Sequence, residues 1–175
     1  AVAVSQDAAV VSAPPPTGTN VALASAGAVA SASSTHSAGF AVTAVNNGER
    51  AGANPGAGGY WNDGSQGAFP DWVQIDFNGN KTIDRVVVYT LQDNFTNPVE
   101  PSDSQTFTLY GIANFSIQAW NGSSWTTLGT VTGNNLVKRT VSFAPFTTSR
   151  IRISVAAVAR GGPWSRVTEV EAWGY

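Results

Sequence analysis

Six residues, Trp72–Phe77 (WVQIDF), restrict the fold more than any other stretch. Trp72, Gln74 and Asp76 fall on one face and Val73, Ile75 and Phe77 on the other, the period of two that a half-buried strand requires. The pattern recurs. Lys81–Leu91 (KTIDRVVVYTL) is strongly β-branched, and Asn78-Gly79-Asn80 before it is a tight-turn signal. Phe115–Trp120 alternates, and Asn121-Gly122 leads into Trp125–Val131. Leu136–Phe143 sets Val137, Val141 and Phe143 against Lys138, Thr140 and Ser142. Arg150–Val155 and Val167–Trp173 complete the series, and Trp72, Trp120, Trp125 and Trp173 in these strands are expected in the core. Ala38–Val45 is the one helix-like piece, two turns at most. About eight short strands joined by turns predict an all-β chain folded as an eight-stranded jelly-roll β-sandwich.

Two parts are distinguished. Residues 1–19 form an Ala/Val/Pro-rich arm or linker ending in Pro14-Pro15-Pro16-Thr17-Gly18-Thr19, and residues 20–175 form the sandwich domain. The arm is apolar enough to add a strand to a neighbour, which makes copies of the chain itself, or a neighbouring subunit, candidate partners.

Composition removes whole classes of chemistry. Cys is absent, and His36 is the single histidine, so disulfides, thiolate metal sites and His-based triads are excluded or nearly so. Charged residues make up 11% and net charge is -2, which argues against a nucleic-acid partner. Apolar runs fall far short of the ~20 residues of a membrane helix, so no membrane insertion is expected. Four Glu and seven Asp, with no GxSxG, HExxH or Walker pattern, argue against an enzyme. A hydrolase built on two carboxylates is the weakest of the readings considered.

Three long loops carry the remaining candidates: 46–71 with seven Gly, 92–106, and 159–166 (ARGGPWSR). A sugar site needs an aromatic ring against the apolar face of a pyranose and polar groups for its hydroxyls. Tyr60 and Trp61 in the first loop, Asn94 and Phe95 in the second, and Arg160 and Trp164 in the third supply both. Trp61 can instead cap the core, and His36 reads as an exposed loop residue. A cation is the other candidate. Ala44–Glu49 offers side-chain oxygens in a Gly-containing turn, and Glu169 and Glu171 lie two apart on the last strand. Turned inward, either acid would need a cation; turned outward, both are simply solvated.

The order of these pieces resembles the discoidin family, the coagulation factor five/eight type C domain, among the galactose-binding-domain-like sandwiches. The matching stretches run from Asn20 to Gly174. They are Asn20–Ala24, Ala30–Thr35, Ala44–Gly48 with Trp61, WVQIDF, Ile83–Tyr89, Ile117–Trp125, Arg150–Ile153 and Glu169–Gly174. The resemblance implies a jelly roll with ligand loops at one rim, usually non-catalytic and often glycan-binding. It also implies a structural calcium. Carried over, the loop acid falls on Asn47, the next side-chain ligand on Glu49 and the terminal-strand acid on Glu169, with carbonyls of Ala44 and Thr168. Asn at 47 removes one charge from that set.

The leading expectation is a non-catalytic, lectin-like carbohydrate-binding module, secreted or displayed on a surface, whose partner is a glycan or polysaccharide and which holds a structural calcium. The alternative is a structural or decoration subunit of an extracellular filament, cell surface or virion, assembled through its N-terminal arm.

Overall fold

The computed structural model describes residues 18–175. The strands are β1 (Thr19–Asn20), β2 (Val29–Ala32), β3 (Trp61–Asn62), β4 (Asp71–Thr90), β5 (Ile112–Trp120), β6 (Trp125–Val131), β7 (Lys138–Val158) and β8 (Arg166–Gly174). These strands pair antiparallel, in the order β1-β8-β4-β7-β5-β6, with β2 also on β4 and β3 also on β8. The all-β, eight-stranded reading of the sequence holds. The arm expected over residues 1–19 lies outside the described residues as far as position 17; Thr19 and Asn20 form β1.

Two strands are longer than the sequence pattern implies. Residues 71–76 of β4 pair with residues 150–155 of β7, and 73–76 also with β2, while its second half pairs with the start of β7 and with β8. The register shifts between Asp76 and Lys81, where Asn78-Gly79-Asn80 stands. The expected tight turn is thus a bend within one strand, because β7 stays alongside on both sides of it. Gly79 supplies the bend with a positive φ of 78°.

β4 and β7 carry the sheet around a corner, and its halves close on one core. Val73, Ile75, Ile117 and Ile153 from one half meet Val86, Val88, Val170 and Ala172 from the other. The expected short helix is two 3-10 turns, Ala38–Phe40 and Val42–Asn46, separated by extended Ala41.

The tryptophans differ from expectation. Trp72, Trp120, Trp125 and Trp173 are half-buried on the outer faces rather than in the core. The alternation that sends Val73 and Ile75 inward sends Trp72 outward with Gln74 and Asp76. The Arg152 guanidinium stacks between Trp72 and Trp125, at 4.1 and 4.3 Å from the ring centroids.

Candidate functional site

The loops at the start of β8 build a small cup. Its volume is about 210 Å³, and it is lined by His36, Phe40, Tyr60, Asn62, Trp164 and Arg166. Its depth comes from the short ladder of β3 on β8, where Trp61 faces Val167 and Asn62 faces Arg166. Alternation sends the first pair into the core and leaves the second for the cup. Trp61 is completely buried, and its Nε1 donates to the Ser34 carbonyl at 2.9 Å. It is therefore a core residue beneath the cup and unable to touch a ligand.

Aromatic edges form the wall. His36 meets Trp164 at 5.2 Å and Phe40 at 5.5 Å, both edge-on, and Phe40 leans on Tyr60 at 5.3 Å. The Gly-rich loop explains why Phe40 stands there. Gly58 N–H donates to the Gly39 carbonyl at 2.9 Å, and Gly39 lies so close to Gly56 that no side chain would fit between them. Loop 51–59 presses the 3-10 turn bearing Phe40 toward the cup.

Arg166 supplies the polar end. Its Nε donates to Asn62 Oδ1 at 2.9 Å, and its guanidinium lies 5.4 Å from the Tyr110 ring centroid. Its Nη1 is buried without a partner among the described residues. Burial pushes the pKa of this arginine down and that of Tyr60 up. Arg166 lines the cup and carries its one permanent positive charge, so its guanidinium is the donor available to ligand oxygens there.

Beneath the cup, a buried acid node fixes the loops. The Asp63 carboxylate accepts from Ser165 N–H at 2.6 Å and from Ser65 N–H at 2.8 Å. The Asp71 carboxylate accepts from the hydroxyls of Ser165 at 2.7 Å and Ser65 at 2.8 Å. Burial, opposed by those hydroxyls and reinforced by Asp63, raises the pKa of Asp71. This node ties the loop after β3 to the residue next to Trp164.

Of the residues singled out for sugar, Tyr60 and Trp164 meet in the cup. Phe95 is one step removed: it packs edge-on against Tyr110 at 5.2 Å, and Tyr110 backs Arg166. Asn94 and Arg160 are exposed outside it, with Asn94 Nδ2 bonded to the Asn97 carbonyl. His36, Phe40, Asn62 and Arg166 were missed. Arg166 and Asn62 acquire their place from a pairing between segments about a hundred residues apart, which no local pattern encodes.

The residues named for calcium lie around the 44–49 turn. Glu169 is fully buried, and both its oxygens accept from Gly48 N–H, at 3.1 and 3.2 Å. Burial pushes its pKa up to about 8. A buried carboxylate with no cationic partner fits a metal ion. Asn47 and Glu49 fit less well. Asn47 Oδ1 accepts from Glu49 N–H at 2.8 Å, and the Glu49 carboxylate accepts three backbone N–H groups from Ala51, Gly52 and Ala53. Ala44 is buried, and the Thr168 hydroxyl donates to the Arg50 carbonyl at 2.9 Å. Among the described residues no three His, Cys, Asp or Glu side chains converge on one point.

Comparison with known proteins bears on the family and the fold. The F5/F8 type C family model described as a NedA-like, galactose-binding domain matches residues 44–153. Chitosan-binding module 2 of a chitosanase/glucanase from Paenibacillus sp. IK-5, solved with chitotriose, is 22% identical with a TM-score of 0.65. The match covers 89% of this chain and all of that one. The family 32 carbohydrate-binding module of Clostridium perfringens NanJ, solved with galactose, is 20% identical with a TM-score of 0.63, over 90% of this chain and 99% of that one. A Streptococcus pneumoniae fucose binding module is 17% identical with a TM-score of 0.66, over 90% and 96%. No curated protein sequence matches the chain.

Proposed function

The chain belongs to the F5/F8 type C family in its NedA-like, galactose-binding form, and from that premise we propose a non-catalytic carbohydrate-binding module that holds one sugar ring of a glycan in the rim cup. The observation that carries the reading is the meeting of the Arg166 guanidinium with the rings of His36, Phe40 and Trp164 in one cup. The ring edges give a pyranose its apolar contact. Arg166 donates to hydroxyl oxygens, and Asn62 fixes the arginine's orientation. Chitotriose and galactose, bound by structurally similar modules, are the natural first ligands.

A non-catalytic role is supported by the lining. The cup has no acidic side chain, and the nearby Asp63 and Asp71 are buried in bonds to Ser65 and Ser165. A glycosidase needs two carboxylates flanking the bond it cleaves. Part of the proposal is a location outside the cell, secreted or on a surface, where a module of this kind would meet polysaccharide. It also gives calcium a structural role: Glu169, with Asn47 and the carbonyls of Ala44 and Thr168, would hold the ion and tie the turn to β8.

Calorimetric titration with galactose, chitotriose and a panel of neutral oligosaccharides tests the sugar reading. Trp164→Ala and Arg166→Gln are each expected to weaken the best ligand at least tenfold, about 1.4 kcal/mol. Retention of full affinity by both variants, or no binding to any saccharide, would overturn it. For calcium, thermal melts with and without chelator suffice. The ion should raise the midpoint of the wild type and leave that of Glu169→Gln unchanged.

A further inference from the structure

A second hollow lies on the outer face of the sheet, away from the rim. It is a groove of about 400 Å³. Its floor is Val87 and Tyr89, the outward positions of β4 that alternate with core Val86 and Val88. The flanking strands add Lys138 and Thr140 from β7 and Glu171 and Trp173 from β8. Trp173 lies seven positions along β8 from Arg166 of the cup, roughly 23 Å at strand rise.

The groove is lined by three acids, Glu100, Asp103 and Glu171, and three bases, Arg50, Arg85 and Lys138, and their ion pairing leaves one base over. Both oxygens of Glu171 are engaged: Oε1 accepts from Arg50 at 2.6 Å and Oε2 from Trp173 Nε1 at 3.0 Å. Glu100 is held by Arg50 at 3.1 Å. Arg85 is different. Its guanidinium lies 5.0 Å from the centroid of the Trp173 ring and has no carboxylate or hydrogen-bond partner among the described residues. Lys138 is paired with Asp103 at 2.7 Å, but that carboxylate is 85% exposed, so a ligand can displace it cheaply. The charge left without a partner is thus the Arg85 guanidinium, beside the Trp173 ring. A complementary ligand brings acidic oxygens and a flat apolar face.

We propose that this groove is a second binding site, for an acidic oligosaccharide whose carboxylate or sulfate pairs with Arg85 while a sugar ring rests against Trp173. A peptide is disfavoured by topology. The floor strand β4 is paired on both sides, so no strand edge is open in the groove to bond a peptide backbone. The choice of a glycan rests on the carbohydrate-binding reading, but the site shares no residue with the cup. Two sites on one small domain would let it hold a polymer at two points, with avidity beyond either contact.

The experiment is a titration of the whole chain, followed by amide chemical shifts, with a uronic-acid tetrasaccharide, a sulfated neutral tetrasaccharide and the neutral parent. Wild type, Arg85→Gln and Trp164→Ala are compared. The acidic ligands should shift Val87, Thr140 and Trp173, with affinity falling at least tenfold in Arg85→Gln and less than twofold in Trp164→Ala. The uronate and sulfate arms say which anion is preferred. Equal binding of the neutral parent at the groove, loss of the acidic ligands in Trp164→Ala but not in Arg85→Gln, or no shift at all would each overturn the proposal. So would Arg85-dependent capture of an acidic heptapeptide with no response to the sugars. Neutral-sugar binding at the cup is read from the rim amides in the same spectra, so the two readings fail separately.

Discussion

Two arginines near β8 live under opposite conditions. Arg50, in the turn over the middle of the strand, donates Nε to Glu171 at 2.6 Å and Nη1 to Glu100 at 3.1 Å. The bond to Glu171 is the main reason its pKa is raised. Arg166, at the start of the strand, has an amide as its one side-chain acceptor, an aromatic ring at its back and a buried Nη1 with none, and burial lowers its pKa. The first guanidinium is spent on the fold: it neutralises a buried acid and pins a loop. The second lines the cup with no carboxylate partner, so its charge is not spent on an ion pair of the fold.

The same contrast separates two tryptophans, and there it predicts the largest effect. Trp61 is fully buried while Trp164 is half-buried at the cup wall. Trp61→Ala should cost about 3–5 kcal/mol in denaturant unfolding, and Trp164→Ala about 1 kcal/mol or less while losing the sugar. Equal stability losses would erase the distinction between floor and wall. Arg50→Gln comes next. It leaves the Glu171 carboxylate without its cation, at a cost of about 2 kcal/mol, discounted because Arg50 is 40% exposed. Sugar affinity at the cup should be unchanged, whereas Arg166→Gln should show the reverse pattern. Glu49→Gln is smaller still. Three backbone N–H groups would exchange a carboxylate for an amide, weakening the 49–53 loop by about 1 kcal/mol. Faster amide exchange at Ala51, Gly52 and Ala53 would report it.

Much of this architecture was legible in the sequence. The alternation in WVQIDF and in residues 150–155 sends Val73, Ile75, Ile151 and Ile153 to the core as read. The corner in β4 was not legible, because Asn-Gly-Asn has the same local chemistry whether the chain reverses or bends; the neighbouring β7 decides. Trp72 and Trp125 misled through their size. Their large apolar area suggests a core, yet Arg152 covers their faces on the outer sheet. At the cup, Trp164 announced itself by its Gly-Gly-Pro setting. Asn62 and Arg166 did not, since one looks like a loop amide and the other like the polar start of a strand. Only the β3–β8 register makes them partners.

Two aspartates give the smallest prediction and the sharpest in sign. Asp93 is partly buried, which alone would raise its pKa, but N–H groups of Leu109 and Thr108 and the Thr108 hydroxyl outweigh this and lower it. Asp71 is buried beside Asp63 and its pKa is raised. For Asp93 the unfolded chain holds the proton more tightly. Its contribution is present above an ordinary carboxylate pKa near 3.8 and is lost as pH falls through the lower folded value. For Asp71 the folded chain holds the proton more tightly. Its contribution is full below 3.8 and is lost as pH rises through the higher folded value. Urea unfolding from pH 3 to 6 should therefore lose part of its acid-side rise in Asp93→Asn and part of its decline on the other side in Asp71→Asn. The slopes are the readout, since each substitution also shifts the level. Parallel slope changes in the two variants would mean that both acids answer to the same environment, and that the node under the cup does not differ from an ordinary surface loop in how it treats charge.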